Sequence, residues 1–151
     1  YFMGHIELST SEFAIIVNKF INKSSEIENK ISIFKGNKNG FTFDYTIKKL
    51  GLSKSVPLNI IFDNFDEKNN ILVLGIASNS KKTIYQKLLK EVLNKKSDSI
   101  NIILSDYGCE IRENYLYVDT NIFARQNNIN SNFTEIKIES YKLSISFELR
   151  D

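Results

Sequence analysis

The chain has 151 residues, 42% hydrophobic and 25% charged, which fits one globular domain with a sizeable core. A formal net charge of +2 gives no global field of the kind nucleic-acid binders carry, so nucleic acid is not an expected partner. The single cysteine, Cys109, excludes an intrachain disulfide and any multi-cysteine zinc site. No apolar run approaches the roughly 18 residues of a membrane span, and no signal peptide is visible in YFMGHIELS.

Tyr1 to His5 read as the remnant of a protease-cleavage tag, leaving residues 6–151 as one domain. Ser9 and Glu12 have the S-x-x-E spacing of a capping box, which predicts a helix over Ser11–Lys23. Phe13, Ile16, Val17, Phe20 and Ile21 recur on one face of it. Lys30–Phe34 alternates as a short strand, and the KGNKNG run of residues 35–40 is a turn. In FTFDYTIKKL, Phe41, Phe43, Tyr45 and Ile47 oppose Thr42, Asp44, Thr46 and Lys48, the pattern of a half-buried strand. Val56, Leu58, Ile60 and Phe62 repeat it, with Pro57 near the strand start, where a missing ladder donor is tolerated.

Asp66–Asn70 reads as a hairpin loop before Ile71–Ser78, a strand apolar on both faces. A second helix is expected over Thr83–Lys95. Its apolar residues Ile84, Tyr85, Leu88, Leu89, Val92 and Leu93 sweep an arc on the order of 180°. Such an arc suits a helix enfolded by a curved sheet, or one sharing its face with a ligand. Ser99–Ser105 is expected as a strand, then two short strands around Glu113-Asn114, a helical turn and loop over Ile122–Phe133, and alternating strands to Leu149. Most connections are too short for parallel crossovers. The fold class is therefore α+β, with two amphipathic helices packed on one strongly curved antiparallel sheet.

Chemistry-bearing patterns are scarce. There is no glycine-rich phosphate loop, and histidine and cysteine are too few for a metal cluster. Asp63, Asp66 and Glu67 form the densest acidic group, on an inferred hairpin tip where water gives no reason for a raised pKa. Cys109 reads as a buried structural thiol. The expectation is a binding module without enzymatic activity, cofactor or metal.

The succession of the Ser9–Lys23 helix, the aromatic strand FTFDYTIKKL, strands to Ser78, the amphipathic helix and INIILSDYGCEIRENYLYVDTN resembles the tubular lipid-binding (TULIP) superfamily. It is similar in particular to the accessory proteins of orfX-type clostridial neurotoxin clusters. The resemblance implies a long helix wrapped by a bent antiparallel sheet, with lipid held in the apolar seam. In this chain the side chains expected to meet a ligand there are Phe13, Val17, Phe20, Tyr85, Leu88, Leu89 and Val92. The resemblance also implies a bacterial protein; its compartment is open between the cytoplasm and secretion without a visible signal peptide.

Two readings stand side by side. In one, the seam binds lipid or another long apolar molecule. In the other, the seam is a filled core and the protein is an interaction component of a larger complex. Ile61, Ile71, Val73 and Ile103 cannot all face the main core, so a homodimer or a protein partner is expected to cover them. The basic, apolar-faced helix also leaves room for peripheral membrane contact.

Overall fold

The computed structural model of the protein describes residues 2–21, 32–78, 87, 90, 101, 104–106, 108–126 and 128–149. Their order is β1 (Phe2–Ser9), α1 (Thr10–Ile21), β2 (Lys35–Gly36), β3 (Gly40–Lys49), β4 (Leu52–Asp66), β5 (Ile71–Ser78), β6 (Cys109–Arg112), β7 (Tyr115–Asp119), α2 (Thr120–Gln126), β8 (Ser131–Glu139) and β9 (Lys142–Leu149). Every strand pair is antiparallel, as the short connections require. The strands do not form the one sheet expected. They divide into a three-stranded sheet, β1-β9-β8, and a six-stranded sheet, β2-β3-β4-β5-β7-β6.

The division arises from β1, which pairs with β9 from Phe2 opposite Leu149 to Ser9 opposite Lys142. Phe2, Gly4, Ile6 and Leu8 share one face, but the pattern is too short to read once Tyr1–His5 are set aside. Gly4 lies under the Phe147 ring, where an added Cβ would collide with it. The two sheets and α1 meet in a core of Ala14, Phe34, Phe41, Ile136, Ile138 and Leu143. A second core of Tyr45, Val56, Leu58 and Ile76 lies on the six-stranded sheet, with Phe43 reaching both. In β3 and β4, Phe41, Phe43 and Tyr45 stand opposite Ile60, Leu58 and Val56, the pairing that alternation predicts.

NIIFDNF looks two-sided because of a bulge. The β4–β5 register shifts between Phe62 and Asn64, so Phe62 pairs with Leu74 and Phe65 with Leu72. The extra residue returns Phe65 to the face of Phe62, and both pack against the first core. Ile61, Ile71 and Val73, expected to face outward as an apolar patch, are each half-buried. Ile103 lies outside the described residues.

α1 begins as its sequence predicts. The Ser9 Oγ accepts from the Glu12 N–H at 3.0 Å, and the Ser9 N–H donates to Glu12 Oε1 at 3.1 Å, closing the capping box. Its inward face differs from the expected one. Ile16 is 53% exposed, whereas Ala14 is buried, with Phe13 and Val17 half-buried beside it. The reason is Asn18, which turns inward to bond the peptide of Phe34 and rotates the apolar stripe away from Ile16.

That bond also explains why Ser32–Phe34, the described part of the strand expected over Lys30–Phe34, is not a strand. The ladder begins at Lys35, opposite Thr42, while the Phe34 peptide is taken by Asn18. Within the strand expected over Ser99–Ser105, the described residues Asn101, Leu104 and Ser105 are helical. A short run such as INIIL fits either state by periodicity alone. Within the helix expected over Thr83–Lys95, Lys87 and Lys90 are helical and the other positions lie outside the described residues.

Candidate functional site

The seam beside α1 is where Phe13 and Val17 were expected to meet a ligand. Phe13 packs its ring 5.5 Å from that of Phe41, and Phe34 stands edge-on to Phe41 at 6.4 Å. Phe34 also meets Phe43 at 4.6 Å. Such ring spacings are those of a packed aromatic core. Ala14 beneath them is only 3% exposed. Around Phe13, the described side chains pack ring against ring. The Phe20 side chain, Tyr85, Leu88, Leu89 and Val92 lie outside the described residues, so the structure brings together Phe13 and Val17 alone from the expected set.

Cavities lie elsewhere among the described residues. One of about 340 Å³ sits where the bulge of β4 faces a second bulge, between Phe133 and Glu135 of β8. Asp63, Glu67, Glu135 and Lys137 line it together with Phe62 and Phe65. The neighbouring Asp66 carboxyl accepts from the Asn69 side chain at 2.8 Å and from its N–H at 3.2 Å. These bonds hold its pKa below the ordinary carboxylate value, opposite to what a general acid at neutral pH requires.

The other cavity, of about 430 Å³, lies along β6 and β7 and includes Asn101, Cys109, Glu110, Arg112, Tyr117 and Asp119. The Arg112 guanidinium lies 4.1 Å from the centre of the Tyr117 ring, and its Nε is 3.6 Å from Glu110. Burial pushes the Cys109 thiol up to about 11, so it is a protonated thiol at neutral pH and a poor nucleophile. Asp119 is committed to α2, its Oδ1 accepting from the N–H groups of Asn121 and Ile122 at 3.1 and 3.2 Å. Among the described residues there is no group of three or more potential metal ligands.

Among the described residues, the most exposed large apolar side chains are at the tip of the β3–β4 hairpin. Leu50 is 94% exposed and Leu52 76% exposed. The strands pair up to Lys49 opposite Leu52, leaving Leu50-Gly51 as a two-residue turn with φ of 53° and 77°. Positive φ at both positions is the geometry that glycine and asparagine adopt freely. For leucine it costs about 1 kcal/mol, with no burial to offset it. Sequence reading missed this tip by extending the strand through Leu50. The available signal was KKLGLSK, in which the tip glycine is flanked by leucines where a hairpin usually carries polar turn residues.

No helix among the described residues is long and apolar enough to cross a membrane. Comparisons with protein-family models, curated proteins and solved structures found no match to this chain.

Proposed function

We propose that this protein is a non-enzymatic binding module, in the filled-core form, that engages a partner through apolar side chains on its surface. The observation that carries this reading is the contrast between Leu50 and Leu52, held in solvent, and Phe13, Phe34 and Phe41, whose rings pack against one another beside α1. A ligand seam needs empty apolar volume between helix and sheet. A contact surface needs apolar atoms held outside the core at some cost to the fold. The raised Cys109 pKa leaves that thiol a poor nucleophile, and the lowered Asp66 pKa leaves that carboxylate a poor general acid.

The test pairs two measurements on the purified protein. On this reading a fluorescent fatty acid should show no saturable binding, because rings occupy the described side of α1. Retention on a phenyl matrix should fall when Leu50 and Leu52 are both replaced by serine, at an unchanged circular dichroism spectrum. Saturable fatty-acid binding that is lost on Val17→Asp at retained fold would return the lipid-seam reading in its place.

A further inference from the structure

We infer that the β3–β4 hairpin tip, Leu50-Gly51-Leu52, docks into the surface of an anionic phospholipid bilayer. The inference rests on the reading that the protein binds through exposed apolar side chains, and it names what those side chains meet.

Three observations converge on the tip. The first is a local conflict: a leucine occupies a positive-φ turn position at 94% exposure, where asparagine or glycine would relieve the backbone. Conflicts of this kind mark places where function overrides the fold's own preferences. The second is shape. A Cβ built at Gly51 would meet nothing within 4 Å, so the tip is convex and free on its outer side. A convex apolar tip needs either a matching socket or a medium that yields around it.

The third is charge. Lys48, Lys49 and Lys54 lie within three residues of Gly51, and no acidic residue occurs between Asp44 and Asp63. Lys54 stands two residues behind Leu52 along β4, about 7 Å back at the rise of a β-strand, and Lys48 occupies the neighbouring rung of β3, opposite Ser53. Interfacial amphipathic segments bury their apolar side about 5–10 Å into the headgroup–acyl boundary. Leucines in the acyl boundary would thus bring the lysine positions to the level of the phosphates. A bilayer yields to a convex tip and carries negative charge in a continuous plane. A protein partner would instead have to supply an apolar socket ringed by acids. Anionic lipid is therefore the occupant that the tip's shape and charge fit together.

The experiment uses the whole chain and vesicles of equal parts phosphatidylserine and phosphatidylcholine, with pure phosphatidylcholine vesicles as control. The protein should float with the anionic vesicles, at least tenfold more strongly than with the neutral ones, and the association should weaken with salt. Each of Lys48→Gln and Lys54→Gln should lower the partition about fivefold. Leu50→Asn combined with Leu52→Ser should lower it more than tenfold. Leu50→Asn alone should weaken binding yet leave the melting temperature equal or higher, because asparagine suits the turn. A merely structural role for Leu50 would lower it.

A direct readout comes from Leu52→Trp, which would give this tryptophan-free chain a single indole. Its emission should shift to the blue with anionic vesicles and be quenched by brominated acyl chains. Failure to float with anionic vesicles, or equal flotation of the Leu50→Asn, Leu52→Ser variant, overturns the inference. So does a concentration-dependent dimer that this variant dissolves without any vesicle binding, or binding confined to an acidic protein. Phenyl retention that depends on the leucines without flotation would remove the bilayer and leave the binding-module reading. Saturable fatty-acid binding in the seam would remove that reading instead.

Discussion

The side-chain amide of Asn101 pairs with the peptide of Ile111 as a neighbouring strand would. Its Nδ2 donates to the Ile111 carbonyl at 3.0 Å, and its Oδ1 accepts from the Ile111 N–H at 2.7 Å. Ile111 lies on β6, an edge of the six-stranded sheet, so the amide closes one rung of an open ladder. Asn18 does the same beside the opposite edge, bonding the Phe34 carbonyl at 3.0 Å and its N–H at 2.7 Å. Asn18→Ala and Asn101→Ala should each cost about 1–3 kcal/mol, because a half-buried peptide loses both partners. Urea midpoints at an unchanged slope would measure the loss.

Asn70 ties the β4–β5 turn to the other sheet. It is buried with φ of 56°, and its Nδ2 donates to the carbonyls of Glu67 at 3.1 Å and Phe133 at 3.0 Å. Its own carbonyl accepts from the Thr120 hydroxyl at 2.8 Å and the Thr120 N–H at 3.0 Å, where α2 begins. Glycine at this position keeps the backbone conformation and loses the side-chain bonds, whereas alanine loses both. Asn70→Ala should therefore destabilise by about 2–3 kcal/mol and Asn70→Gly by about 1 kcal/mol less. Equal losses in thermal unfolding would show that the φ carries no weight.

The first core predicts a different kind of loss. Leu143→Ala should cost about 2–5 kcal/mol, since Leu143 is buried where the three-stranded sheet meets α1 and Phe41. Gly36→Ala should be damaging for another reason. A Cβ there would run into the backbone of Thr10 and Ser11, which no side-chain rotation can relieve. Reduced soluble yield, or a broadened urea transition, is the expected result for Gly36→Ala.

Cys109 gives the stability a dependence on alkaline pH. Burial raises its thiol to about 11 from an ordinary 9.0. Between these values the unfolded chain has released the proton and the folded chain still holds it. The folded state then binds more protons, so stability falls as pH rises through this window. Cys109→Ser should flatten that part of a stability-against-pH curve. At neutral pH, labelling of the native thiol by iodoacetamide should be slow and should become fast in urea.

The local elements were written plainly in the sequence wherever one residue's neighbours decide its state. The Ser9-Glu12 capping box, the alternation from Phe41 to Tyr45 and from Val56 to Phe62, and the turn at Glu113-Asn114 all stand where the residues place them. Bonds between distant residues decided the rest. Asn18 meeting Phe34 turned α1 off its apolar arc and displaced a strand, and β1 found β9 from the far end of the chain. The bulge at Asp63 reset a face that looked two-sided. Of the expected seam, Phe13 and Val17 were placed rightly on the helix, but whether rings or empty space lay opposite depended on Phe34 and Phe41 arriving there. The hairpin tip has the same origin. KKLGLSK states its charge and its leucines, while the exposure and positive φ of Leu50 come from where two long strands run out of register partners. Periodicity encodes which side chains share a face; only tertiary contacts fix what that face meets, because packing and peptide pairing act between residues far apart in the chain.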